Sequence, residues 1–457
     1  MSGGFVRLHA PLRRLPSLVS PGGEAPSGHH GGMALRQRLP SADYLAVLGS
    51  AVLCYAALGA VLAILPRYVP GRLHSGPAAL GLAVGAPALS GLLARPFGGR
   101  LADRTGPLPP LLAGAVLMAA GAVPAAASAT LSALVLSRLA AGAGEGMMMS
   151  ATVLWLLRLA GPERRGRALG HIGLANYGGL ALGPLLASAL GGPAASRTVL
   201  WSAAVLPLAG GVAALGARRL SATVPGPSGR ERRPGTLALL RETAPAGVGL
   251  LLVNVGYVSV LSFGAAVARG AGTGLGSLIV PVFAAVVIVS RTLGGGLPDR
   301  LGGRRTVVLF AGLEAAGLAL YAQLGSAPLA LIALVALSIG QSLAVPGLGL
   351  LALAGVPREH QGAASGLFFA WFDAGVGLGG PVVGAAAGLA GPSGALELAA
   401  GAVAIAIAVG WRVAPAAGRD RLPAAGRDRL PAGGGGRGDR SASHPGSARG
   451  VCRPMAE

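Results

Sequence analysis

The chain has 457 residues, of which 53% are apolar and only 12% charged, with a formal net charge of +21. Soluble domains carry about 25% charged residues, and a mean hydropathy of +0.65 over this length would leave large apolar patches in water. These figures exclude the ordinary soluble classes and point to a protein that crosses a membrane many times.

A helix needs about 20 mostly apolar residues to cross a bilayer. Stretches of that kind recur near 44–65, 77–97, 109–128, 131–157, 168–190 and 198–216, and again near 246–268, 274–293, 306–324, 328–354, 363–389 and 394–412. Six spans, a break and six more predict an all-α integral membrane protein of twelve helices in two six-helix bundles, residues 43–216 and 246–412. Residues 1–42 are rich in Gly, Pro and Arg and lack a short apolar run with a cleavage site. They read as a disordered cytoplasmic tail before a retained first helix. Residues 217–245, with their SATVPGPSGRERRPG run, read as a flexible polar linker. Residues 413–457 hold a low-complexity repeat, PAAGRDRLPAAGRDRL, too poor in apolar residues to fold.

Arginine placement fixes the expected orientation. With the N-terminus cytoplasmic, 32 of the 37 basic residues fall on inner segments, and only Arg67, Arg72, Arg138, Arg197 and Arg269 fall elsewhere. A frame moved by one span scatters the inner clusters, so both termini are expected in the cytoplasm. Anionic lipid headgroups then account for the net charge without nucleic acid. All 37 basic residues are Arg, so a P-loop, which needs a Lys on the phosphates, is absent. Schiff-base chemistry is excluded on the same ground. Cys54 and Cys452 supply neither a disulfide framework nor a zinc quartet. No cofactor is expected; the expected partners are a small-molecule substrate, protons and the lipid bilayer, with a monomer as the working unit. The excess of Ala, Gly, Arg and Pro reads as GC-rich coding, which favours a bacterial plasma membrane.

The two halves echo each other. Between spans 2 and 3 stands GGRLADRTG, with Gly99, Asp103, Arg104 and Gly106; between spans 8 and 9 stands GGLPDRLGGRR, with Gly295, Asp299, Arg300, Gly302 and Arg304. Gly183-Pro184 in span 5 is matched by Gly380-Pro381 in span 11. These residues resemble the major facilitator superfamily over roughly residues 43–412. The first loop is similar to that family's GxLADRxGxRxxL motif, although Leu108 stands where a basic residue is usual. Span 4 resembles the family's conserved-Arg motif through Leu134, Arg138, Gly142 and Gly144. Span 5 resembles the motif linked to proton-coupled export through Gly170, Gly179, Gly183 and Pro184, with Ala187-Ser188 in place of the final Gly pair. The resemblance implies two bundles that rock about a midplane cavity. Asp103 and Asp299 would then hold the inner gate closed by accepting from a neighbouring helix N-terminus or an Arg; the plain alternative is a solvated loop acid.

Ionisable groups within spans are costly and therefore functional candidates. Glu145 and Arg138 lie seven residues apart in span 4, on nearly one face and about 10 Å apart along the axis. They can share a cavity without touching. Arg138, Glu145 and Asp373 are the candidates for proton coupling, against structural pairing for Glu145 and a helix-kink cap for Asp373. Glu314 reads as structural. Tyr55, Asn176, Tyr177, Asn254, Tyr257 and Gln341 are the candidate lining of the cavity, although each singly suits a helix–helix hydrogen bond. The expected activity is secondary active transport, foremost proton-coupled efflux of a drug-like compound or metabolite. The alternatives are an uptake symporter for a sugar or other nutrient, a multispan membrane enzyme, or a non-transporting sensor. The enzyme is disfavoured because paired acids and His clusters are lacking.

Overall fold

Most helices end within about three residues of the ends that hydropathy marks, but those over 42–72, 77–105 and 236–259 run well past them, because Pro, Gly and charged residues are tolerated in their outer turns. The computed structural model describes residues 41–127, 129–161, 164–217, 236–323, 326–357 and 360–412. The expected tails, and the linker core 218–235, lie outside them. Helices α1 (Ala42–Arg72), α2 (Pro77–Thr105), α3 (Leu108–Ala127), α4 (Leu131–Ala160), α5 (Arg165–Ala189) and α6 (Ser196–Gly216) form the first half. The second half begins with α7 (Thr236–Ser259), which passes through a π turn at Val260–Gly264 into α8 (Ala265–Gly270). Then come α9 (Ile279–Gly294), the short α10 (Leu297–Leu301), α11 (Gly303–Ala322), α12 (Ala327–Leu353) and α13 (Gln361–Arg412). Among the described residues there is no strand.

Nine of these helical stretches are long and apolar enough to cross a bilayer. The count is lower than twelve for three physical reasons. Helix α4 has the length but carries Arg138, Glu145 and Arg158. Helix α9 is apolar but has only 16 residues. Helix α13 is 52 residues long and is broken at Gly391, whose φ of 74° and ψ of 176° no helix contains.

Three sequence-based boundaries need correction. The expected linker 217–245 is helical from Thr236 onward, where Thr243 turns its hydroxyl back to the Leu239 carbonyl at 2.9 Å instead of breaking the helix. The segment carrying Gly99, Asp103 and Arg104 is not a loop but the last two turns of α2, which stops at Gly106 with φ 86°. Its counterpart folds as α10, between the Gly295-Gly296 turn and Gly302 at φ 77°.

Packing follows the small residues. Helices α1–α6 pack among themselves, α1 on α4, α5 and α6, and α4 on α2 and α3. The same pairings recur in the second half: α7 packs on α13, α12 on α9 and α11, and α11 on α13. Gly179 and Gly183 bring α5 onto the backbone of α1, and Gly375 and Gly379 bring α13 onto α7. The halves meet where α2 packs against α13 and α5 against α9, and where the π turn at Val260–Gly264 touches α1 and α2. Leu93, Leu293 and Leu389 stand on the outside at 70%, 82% and 92% exposure. Such an apolar exterior suits lipid rather than water.

Gly142 on α4 lies so near Pro87 of α2 that a Cβ would collide with the Pro87 backbone, whereas Gly49 of α1 has open space. Overpacking typically costs about 1–3 kcal/mol, and an open helical Gly gains up to about 1 kcal/mol on becoming Ala. In thermal unfolding of the detergent-purified protein, Gly142→Ala is therefore expected to lower Tm and Gly49→Ala to leave it equal or higher; equal losses would refute this packing.

Candidate functional site

The α2–α4 contact places a carboxylate at mid-helix. Gly142 and Gly146 of α4 lie against Pro87 and Gly91 of α2 at backbone distance. Glu145 stands between those two glycines at the centre of α4. A Cβ on Gly91 would stand 3.3 Å from Glu145 Oε2, so the bare Gly91 leaves the carboxylate its room. One turn further along the same face of α2 is Arg95. Its own carbonyl accepts from Ser150 at 3.1 Å.

Arg95 joins the site together. Its Nη2 lies 3.5 Å from Glu145 Oε1, and its Nη1 donates to Asp373 Oδ2 of α13. Tyr55 of α1 donates to the same Glu145 oxygen at 2.5 Å. The two carboxylate side chains are 9% and 5% exposed. Four helices thus contribute to one cluster of Tyr55, Arg95, Glu145 and Asp373, in which the carboxylates are buried while the Arg95 side chain keeps 31% exposure. These are the two ion pairs found among the described residues, and both end on Arg95.

Charge counting decides what this arrangement can do. One guanidinium faces two carboxylates, so the cluster carries one excess negative charge when both acids are ionised. Inside a low-dielectric span an uncompensated charge costs several kcal/mol. A single proton on either carboxylate cancels it. Such an arrangement can accept one proton, and Arg95 lies within reach of both acids.

The other predicted residues distribute unevenly. Glu145 and Asp373 are brought together, but Arg138 is not with them: its Nε donates to the Ala83 carbonyl at 2.9 Å, and it makes no ion pair among the described residues. Tyr55, expected to line a cavity, instead holds Glu145. Tyr177 lies under the Arg291 guanidinium at 4.9 Å, on the α5–α9 seam. Tyr257 packs between Phe283 and Phe372 at 5.5 and 6.0 Å, so an aromatic group adjoins Asp373 in the chain. Asn254 donates to the Leu250 carbonyl at 2.8 Å. Its Oδ1, the Asn176 Oδ1 and both polar atoms of Gln341 are buried without a partner. Gly170 is exposed with open space around it, while Gly179, Gly183 and Pro184 are buried.

The gate residues behave differently from expectation. Asp103, Arg104, Asp299 and Arg300 are exposed, and neither acid makes a hydrogen bond or ion pair among the described residues. The closing contact expected at the inner turns is thus not formed in this conformation. Arg304 stacks on Trp411 at 3.8 Å. Glu314, expected to pair structurally, is buried between α7, α11 and α12 with Oε2 unpartnered. A cavity of about 510 Å³ opens elsewhere, where Arg67, Arg72 and Arg197 lie around the far end of α1 and the start of α6.

Sequence reasoning missed Arg95. The apolar stretch 77–97 contains it, but its place two residues from the end of that stretch groups it with the inner-loop arginines Arg100 and Arg104. Because α2 continues to Thr105, Arg95 lies ten residues, or about 15 Å, from the helix end. The signal was present: a Gly91-x-x-x-Arg95 face within an apolar helix.

Residues 47–380 match the family model described as Major Facilitator Superfamily. An uncharacterized MFS-type transporter of Burkholderia mallei is 30% identical over 376 residues, covering 80% of this chain and 90% of the relative. One of Salmonella typhimurium is 29% identical over 364 residues, covering 77% and 91%. The crystal structure of the nucleoside transporter NupG aligns with a TM-score of 0.66 at 16% identity, over 81% of this chain and 98% of that one. That of a peptide transporter POT aligns with a TM-score of 0.66 at 16% identity, over 81% and 94%. At such identities the likeness is one of fold.

Removing one partner of a buried pair costs roughly 3 kcal/mol or more because it strands the others. Arg95→Met is expected to lower Tm more than Arg95→Met combined with Asp373→Asn, since the double variant removes one of the stranded acids. A double variant as unstable as the sum of the two singles would show that Arg95 and Asp373 are not coupled.

Proposed function

Because the chain belongs to the Major Facilitator Superfamily, and is thus a secondary transporter that moves small molecules by alternating access, we propose that it exports a drug-like compound or metabolite in exchange for protons. The observation that carries this reading is the cluster in which the buried Glu145 and Asp373 share Arg95 across the α2–α13 seam. A site that is one charge out of balance when empty of protons, and neutral with one, gives the cycle its coupling ion. Phe372, next to Asp373 in the chain and packed on Tyr257, suits an amphipathic, largely apolar substrate. The span 5 residues Gly179, Gly183 and Pro184 support the antiporter branch, through a tight α1–α5 contact that closes a route for ion leak.

The proposed architecture is twelve crossings in two six-helix halves. The recurrence of helix pairings, the length of α4 and the break at Gly391 support it. Both termini are placed in the cytoplasm, on the side of Asp103 and Asp299, which the arginine distribution supports. The proposed membrane is the bacterial plasma membrane, and the proposed working unit is one chain.

The coupling reading predicts a specific kinetic pattern in proteoliposomes loaded with fluorescent drug-like dyes. Dye movement is expected to follow an imposed pH gradient. Glu145→Gln is expected to lose at least about tenfold of that gradient-driven rate, the factor corresponding to ~1.4 kcal/mol, while exchange of dye without a gradient persists. Wild-type transport indifferent to the gradient would overturn proton coupling, and a fully active Glu145→Gln would clear this residue of the role.

A further inference from the structure

The seam between α2 and α13 has two unlike parts. From Pro77 to Leu89 the helices touch at backbone distance: Gly81 and Gly85 face Gly377 and Gly380, and Pro77 and Ala78 face Gly384. A Cβ on Gly81 or Gly380 would collide with the opposite carbonyl. Beyond Arg95 no glycine of α2 meets α13 among the described residues. Gly98 turns to Met147 of α4, Phe97 and Phe369 are exposed at 65% and 50%, and Asp103 has no partner among the described residues. Arg95 and Asp373 stand where the closed part ends.

We propose that Arg95 is a partner-switching latch: it ties α2 to α13 while Asp373 is ionised, and it falls back on Glu145 alone when Asp373 takes a proton, which releases the seam. This deepens the proton-coupled reading and rests on it only for the source of the proton. The two bonds of Arg95 differ in what they span. Its contact with Glu145 is internal to the α2–α4 pair, which is locked by Gly91, Gly98, Gly142 and Gly146. Its contact with Asp373 crosses between the halves, so it must break when they separate. A planar guanidinium can serve both carboxylates at once, and its own charge does not change. The proton on Asp373 takes the cluster from one excess negative charge to none, and no other group need react.

The surroundings leave few other titratable groups to take this role. From α1, Tyr55 donates to Glu145, and the Cys54 thiol turns to Met118. On α4, Arg138 is held by the Ala83 carbonyl. On the α7 side, Trp371 and Gly375 meet Gly247, Leu251 and Asn254, none of which titrates.

The latch makes the two acids opposite in effect. Without a charge on Asp373, only van der Waals contacts of glycines hold the seam. Without a charge on Glu145, Arg95 is undivided and grips Asp373 harder. Spin labels at Gly76→Cys and Leu389→Cys, both exposed and flanking the closed end, read this directly in a Cys452→Ser background. Pulsed electron resonance on the full chain in nanodiscs, without substrate or gradient, is expected to show a short distance in alkaline buffer and a longer one in acid. Asp373→Asn is expected to give the longer distance in both buffers, and Glu145→Gln the shorter distance down to more acidic buffer. Asp373→Glu is expected to regain the pH response, which separates a lost charge from a damaged fold. A wild type indifferent to pH, or both amide variants shifting the same way, would overturn the latch. Transport indifferent to a pH gradient would overturn the coupling reading and leave this measurement standing.

Discussion

A guanidinium held between two carboxylates inside apolar helices is the constraint to which the rest of this molecule is fitted. Charges at that depth are tolerated only when paired and hydrogen-bonded. Here the pairing requires three helices, α2, α4 and α13, to converge within side-chain reach of one atom group. A fourth, α1, supplies the Tyr55 hydroxyl. Arg95 lies on α2 only because that helix runs on to Thr105. Gly91, having no side chain, leaves room beside the Glu145 carboxylate, which a Cβ would approach to 3.3 Å. The stoichiometry of one cation to two anions leaves one negative charge unbalanced when both acids are ionised, which is the ground of the proton-coupled reading proposed above.

Glycine does the remaining work of placement. The contacts of Gly142 with Pro87 and of Gly81 with Gly380 set helices at distances that no larger residue allows. Such contacts have no directional bonds to break, so surfaces built from them can separate and close again as bodies. In the conformation described here the first part of α2 is in close contact with α13, whereas Asp103 and Asp299 are exposed. These two acids of the repeated motif make no hydrogen bond or ion pair among the described residues. Glycines of the two halves act alike where α5 meets α1 and α13 meets α7. They differ at Gly183 and Gly380, since the first packs within its half and the second crosses to α2.

Much of the fold was legible because span length and arginine placement report on bilayer thickness and lipid charge, which act on every crossing alike. The superfamily was legible from two short motifs. Helix ends were not, because Thr236, Arg241 and Glu242 are helical despite their polarity. Glu145, Asp373 and Tyr55 were legible as rare polar groups in apolar runs. Their joining through Arg95 was not, since hydropathy treats an arginine near a span's end as a loop residue. The seven-residue spacing of Arg138 and Glu145 gave a true statement about one helix face. It could not reveal that Arg138 would be satisfied by the Ala83 carbonyl. Sequence spacing describes one helix, whereas partners across helices depend on packing.

The central claim is that this cluster exchanges a proton through Asp373, and infrared difference spectroscopy of the purified protein between alkaline and acidic buffer tests it most directly. The account predicts a carboxylic-acid carbonyl band that appears on acidification and vanishes from the difference spectrum of Asp373→Asn. A band that persists unchanged in that variant would assign the proton elsewhere and contradict the account.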